Sequence, residues 1–127
     1  TKRARKCIGL CPQYNLLFEE LTVYEHLRFF AKLKENFDEK EIDQMLQMIN
    51  LDDKRDAKAK TLSGGMKRKL SIAIAFIGNS SIVILDEPTS GMDPQARHST
   101  WSLLQKFKNE RNCTILLTVR ILFSYFL

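Results

Sequence analysis

The chain has 127 residues, room for one domain with a usable core. Hydrophobic residues make up 44% and charged residues 28%, which excludes a globally disordered chain, and no apolar run reaches the ~20 residues a membrane-spanning helix needs. The net charge of +5 raises nucleic acid or an anionic membrane face as partners. Apart from Lys2-Arg3-Ala4-Arg5-Lys6 and Lys67-Arg68-Lys69, however, the basic residues are dispersed. No aromatics interleave with them as stacking platforms would, so the first cluster reads as a solvated terminus.

Ile8 to Cys11 is a short apolar run stopped by Pro12, and it predicts a buried strand over about 7–11 that leads into a loop carrying Gln13. Thr22-Val23-Tyr24-Glu25 is a capping box and predicts a helix from about Val23 to Lys34, with Leu27, Phe30 and Ala31 on one face. A second helix begins near Asp38, with Glu41 spaced for a reciprocal cap and Ile42, Met45, Leu46 and Ile49 at helical intervals. Among the aromatics here, Phe18, Tyr24, Phe29 and Phe30 read as core more than interface, with one or two left for the surface. The run from Asp52 to Lys60 alternates in sign and reads as a solvated loop.

Ser63 is a good N-cap for a helix from Met66 to about Ile77, ended by Gly78 and buried along Leu70, Ala73, Ile74 and Ile77. Ile82 to Leu85 is too β-branched for a helix and too uniformly apolar for a solvent-facing strand, which places it inside a parallel sheet. Asp93-Pro94 opens a further helix to about Asn109, and Thr114 to Thr118 is the last strand.

Chemistry gathers in the second half. Ser63-Gly64-Gly65 at a helix start offers a hydroxyl, unhindered amides and the positive end of the helix dipole, a combination that favours phosphate. Asp86, at the carboxyl end of an apolar strand, stands where open α/β sheets place ligand chemistry and can hold Mg²⁺ through its water shell. Glu87 beside it can take a proton from water. The glutamine Gln13 can bind Mg²⁺ or the attacking water through its carbonyl. Cys7, Cys11 and Cys113 form an odd set that fits a reducing cytosol, and a zinc site drawing on His26 or His98 is outweighed by buried structural thiols.

In order along the chain, Cys11-Pro12-Gln13, Leu62-Ser63-Gly64-Gly65, Ile82 to Asp86, Glu87 and Ser90-Gly91-Met92-Asp93 resemble the Q-loop, signature, Walker B strand, catalytic glutamate and D-loop of an ABC transporter nucleotide-binding domain. The likeness covers about the first 118 residues. Ile8 to Gln13, Lys67 to Ser71 and Gly91 to Pro94 look most like subfamily A, whose members are typically lipid transporters. No Gly-x-x-x-x-Gly-Lys-Ser/Thr run occurs, and Val119 and Arg120 stand where the family has a threonine and its switch histidine.

The resemblance implies an α/β fold, a partial P-loop NTPase (RecA-like) parallel sheet with an inserted helical subdomain. One partial domain fills 1–127, with the helical region at 14–61, the motif region at 62–118 and a divergent apolar tail at 119–127. It also implies ATP and Mg²⁺ as cofactors, with Glu87 as the catalytic residue and Asp86 and Gln13 on the metal. Ser63, Gly64 and Gly65 would act in trans on the nucleotide of a second, head-to-tail domain, and Asp93 would carry signals across that interface. The surface around Tyr14 to Glu25 would meet coupling helices of a membrane domain at the cytosolic face, and the cargo would be a lipid. Nucleic acid is not expected. A start at Thr1 suggests a piece of something larger. The alternative is a shortened, non-catalytic module that binds a transporter partner without hydrolysing ATP.

Overall fold

The computed structural model describes residues 2–118; the tail expected at 119–127 lies outside the described residues. Its elements follow in the order α1 (Lys2–Cys7), β1 (Ile8–Cys11), α2 (Val23–Leu33), α3 (Glu39–Met48), α4 (Gly64–Phe76), β2 (Ile82–Asp86), α5 (Pro94–Glu110) and β3 (Thr114–Thr118). The three strands form one parallel sheet in the order β1-β2-β3, so the α/β class and the parallel pairing expected from the apolar runs are observed. The basic start is not loose chain: it forms α1, and Lys6 pairs with Glu35.

Local signals set the helix starts. Thr22 Oγ1 accepts from Glu25 N at 3.1 Å and Glu25 Oε1 accepts from Thr22 N at 3.3 Å, the full reciprocal box. Asp38 caps α3 through Lys40 N at 3.0 Å, but Glu41 does not return the bond to the cap. Its carboxylate turns away to accept from Gly78 N and Asn79 N, at 3.0 and 3.2 Å, and pairs with Arg111 at 2.8 Å. Those amides follow the end of α4, where Gly78 has φ +78 and ends the helix as a C′ glycine does. Lys34 closes the same end, donating to Ile77 O at 2.7 Å and Ala75 O at 3.1 Å.

Helix α4 is the axis of the fold. Arg68 and every residue from Leu70 to Phe76 are buried, so the expected stripe is there but the helix is enclosed on more than that side. One core cluster runs from Leu27, Ile42 and Leu46 through α4 to Val83, Leu85, Leu104 and Phe107. Phe76 stacks on Phe107 with centroids 4.3 Å apart, tying α4 to α5. Gly9 permits the closest approach: a Cβ there would stand 1.7 Å from Ala75 O, so only glycine lets β1 lie against α4.

Among the described residues the sheet is covered on one side. Gly9, Cys11, Val83 and Leu85 face the helices and are buried. On the alternate positions Leu10 and Leu116 flank Ile84 in register, and they are 60% and 51% exposed. The expectation that Ile82 to Leu85 is enclosed therefore holds for one face only, since Ile82 is 37% exposed.

The charged loop after α3 does more than solvate. It forms two short 3-10 turns, bridges Lys58 to Thr22, and sends Ala59 N to Leu21 O at 2.9 Å. Of the four aromatics assigned mainly to the core, Tyr24 and Phe30 are half-buried, while Phe18 and Phe29 are 51% and 43% exposed. Cys7 is exposed, against its expected burial; Cys11 is buried, and burial pushes its thiol pKa up.

His26 is fully buried, with Nδ1 2.7 Å from Thr22 O and Nε2 accepting from Phe18 N at 2.9 Å, which fixes the neutral tautomer protonated on Nδ1. Burial pulls its pKa below the usual 6.5, outweighing the upward pull of the Thr22 carbonyl and Glu25. The folded state thus resists a proton that the unfolded state takes up. Stability is held above 6.5 and falls as the pH drops from there toward the lower folded value. The urea midpoint should fall between about pH 7 and 5, and a His26→Gln variant should lose that slope; an identical slope would remove His26 as its source.

Candidate functional site

The site forms where β1 and β2 end. Parallel register sets Cys11 beside Leu85 and Asp86 beside Thr118, so the loop carrying Gln13 and the acidic pair leave the same sheet edge. Gln13 Nε2 donates to Ser90 Oγ at 3.2 Å, joining the loop after β1 to the one after β2. Asp86 Oδ1 accepts from Thr118 Oγ1 at 2.6 Å. The same hydroxyl accepts from Glu87 N at 3.0 Å, so one β3 side chain orients the backbone and carboxylate of the pair. Asp86 is exposed and Glu87 half-buried, so neither acid needs a cation to offset full burial. Glu87 has φ +45, a left-handed conformation uncommon for a non-glycine residue and of the kind found at functional turns.

Ser63 caps α4, its Oγ accepting from Met66 N at 3.2 Å. Gly64 and Gly65 follow, and a Cβ at either would meet nothing within 4 Å. No packing among the described residues asks for two glycines in this first turn, and each costs helix propensity. They share a cleft of about 270 Å³ with Gln13, Glu87 and Ser90. Ser63, Asp86 and Asp93 are not among its lining residues; Asp93 caps α5, accepting from Ala96 N at 2.8 Å.

Two contributors escaped the sequence reading. Thr118 was only a strand end, and its link to Asp86 requires knowing that β3 pairs with β2. Arg68 belonged to a basic cluster, yet it is buried and donates to Pro12 O at 2.9 Å and Pro88 O at 3.3 Å. Its place within a run of core residues on α4 was the available signal.

A parallel sheet with an anion-favouring helix start and an acid pair at one strand end defines a nucleotide-binding α/β domain of the P-loop NTPase type. Residues 1–90 match the family described as ABC transporter, and the chain belongs to that family. Its relatives place it with subfamily A. It is 54% identical over 117 residues to "ATP-binding cassette sub-family A member 2" of Rattus norvegicus, covering 90% of this chain and 5% of that protein. To "Phospholipid-transporting ATPase ABCA3" of Mus musculus it is 54% identical over 121 residues, covering 93% of this chain and 7% of the relative. To "Retinal-specific phospholipid-transporting ATPase ABCA4" of Homo sapiens it is 52% identical over 110 residues, covering 84% and 5%.

Among solved structures, an ATP-binding subunit of an ABC transporter superposes with a TM-score of 0.75 at 31% identity, over 95% of this chain and 51% of that one. CbiO1 from Clostridium perfringens, part of the cbiONQ transporter complex, does so with 0.79 at 29%, over 92% and 48%. The chain thus spans about half of these subunits and a small fraction of its curated relatives.

Proposed function

We propose that this chain forms the Q-loop, signature and acidic-pair portion of an ATP-hydrolysing domain that drives phospholipid movement across a membrane. The observation that carries this reading is the pair Gly64-Gly65, bare at a helix start and lining one cleft with Gln13 and Glu87. An unhindered turn of this kind suits a phosphate brought by another molecule. The phospholipid-transporting names of two relatives support the cargo class.

The donor set fits Mg²⁺ that arrives with nucleotide. Among the described residues no three His, Cys, Asp or Glu side chains gather as a metal site. Mg²⁺ keeps several waters and takes one or two carboxylates plus substrate phosphates, a demand that Asp86 and the Gln13 amide oxygen can meet. When bound, the ion would neutralise charge developing on the transferred phosphoryl group. Glu87 would orient and deprotonate the water. Ser63, Gly64 and Gly65 would complete the site of a second, head-to-tail domain, with Asp93 at the interface.

The loop after β1 suits the membrane partner: Tyr14, Leu16 and Phe18 are 75%, 72% and 51% exposed. Among the described residues no helix is long and apolar enough to cross a membrane. In this reading the chain works at the cytosolic face of a transporter, with the membrane spans in other segments.

Ser63→Asp tests the phosphate contact without disturbing the helix. Aspartate caps as well as serine, so α4 stays formed, while its carboxylate repels the incoming phosphate. In a transporter that carries this sequence with a P-loop, ATP occlusion between the paired domains should be lost in Ser63→Asp and kept in Ser63→Asn. Equal occlusion in both would remove the phosphate role from this turn.

A further inference from the structure

Among the described residues Arg68 is the only lysine or arginine that is buried, at 7% exposure. Its guanidinium meets carbonyl-type oxygens rather than a carboxylate. Nε donates to Pro88 O at 3.3 Å; Nη1 donates to Pro12 O at 2.9 Å and to Gln13 O and Asn15 Oδ1 at 3.3 Å each. Nη2 is shut off from solvent and has no hydrogen-bond partner among the described residues. A buried cation with an idle nitrogen is a costly way to fill space that an apolar side chain of like volume would fill more cheaply. Stability alone therefore gives no reason for an arginine here.

The oxygens it binds belong to two loops. Pro12, Gln13 and Asn15 lie on the loop leaving β1, and Pro88 lies on the turn between Glu87 and Ser90. Arg68 itself stands on α4 about one turn beyond Ser63, Gly64 and Gly65. The Gln13–Ser90 bond at 3.2 Å joins the two loops a second time. One planar fork thus spans the segment that faces outward to phosphate and both loops that hold this chain's own reacting groups.

We propose that Arg68 is a positioning residue that makes the Pro12–Asn15 loop, the Glu87–Ser90 turn and the start of α4 move as one body. Occupancy of the site at Glu87 is thereby felt at Ser63 to Gly65, and through them at the nucleotide of the partner domain. The inference rests on the ATPase reading above. It makes Arg68 a determinant of turnover and of cooperativity between the paired sites, not of ATP affinity.

The test uses the full-length transporter carrying this sequence, reconstituted in phospholipid vesicles, with ATPase rates measured against Mg-ATP concentration. Arg68→Met removes the fork, and Arg68→Lys keeps the charge on a single nitrogen that cannot reach Pro12 O and Pro88 O together. Both should lower kcat by about 10–100-fold with KM unchanged, because misplacing reacting groups by an ångström costs on that order. The Hill coefficient should fall to one. In hydrogen exchange on the same proteins, the amides of Ser90 and Met92 should lose protection in both variants while those of α2 keep theirs.

Restoration of wild-type kcat by Arg68→Lys would overturn the proposal in favour of a role for charge alone. Unchanged kcat and Hill coefficient, or faster exchange across the whole domain, would reduce Arg68 to a stabilising residue. A Glu87→Gln control separates the two levels. If the unsubstituted protein shows no ATP turnover, the ATPase reading fails; if Glu87→Gln abolishes turnover while Arg68→Met does not, only the coupling role fails.

Discussion

Glu87→Gln, placed in a transporter that supplies the P-loop, is expected to slow ATP hydrolysis by about 10²–10⁴ while ATP still binds, the range typical of losing a general base. The side chains differ by one atom and have the same shape, so the geometry around the substitution should persist. Backbone bonds help to hold that geometry: Glu87 N donates to Thr118 O at 3.2 Å and to Thr118 Oγ1 at 3.0 Å, and Glu87 O accepts from Ser90 N at 3.1 Å. None of these bonds uses the carboxylate. The amide cannot accept a proton from water, so the loss should fall on kcat and leave KM in place, the pattern of an interaction made only in the transition state. Single-turnover hydrolysis with a parallel measure of retained nucleotide decides the matter. Turnover equal to wild type would show that another group takes the proton, and loss of ATP binding would show that Glu87 holds substrate.

The elements that sequence predicted well are those whose causes are local. The Thr22–Glu25 box, the Ser63 cap, the Asp93-Pro94 start and the glycine stop at Gly78 all act within a few residues, and each is found in the structure. Long-range partners left no periodic trace. Glu41 had the spacing of a reciprocal cap, but Arg111, 70 residues away, and the amides at the end of α4 compete for its carboxylate and win. Arg68 looked like one of three basic neighbours, although it binds a carbonyl 56 residues back along the chain. Thr118 closes on Asp86 across 32 residues through strand pairing alone. Gln13, Gly64, Gly65 and Glu87 were legible as candidates by motif, and the four line one cleft. The side chains that position them were not, because their role exists only once three strands and α4 have met.

The uniform apolar run of β2 promised burial on both faces and received it on one, and this carries the second large expectation. In isolation the 127-residue chain should self-associate at micromolar concentration. Leu10, Ile84 and Leu116 line up across the sheet face that no other described element covers, with Ile8 and Ile82 one step along, so the apolar surface is continuous. Parallel sheets are found almost only with both faces covered. β3 adds a second liability: it pairs with β2 alone among the described residues, and an unpaired strand edge templates further pairing. A groove of about 400 Å³ between α5 and β3, lined by Trp101, Leu104, Ile115 and Leu117, extends the apolar surface around that edge. Both features lie within residues 8–118, so ending the chain at Thr118 should not abolish association. Charged substitutions at Leu10 and Leu116, which touch the open face and not the core, should reduce it. Light scattering on the three proteins gives the answer. A monodisperse monomer of the full chain would show the face to be covered, and a monomer only after truncation would move the cause to residues 119–127.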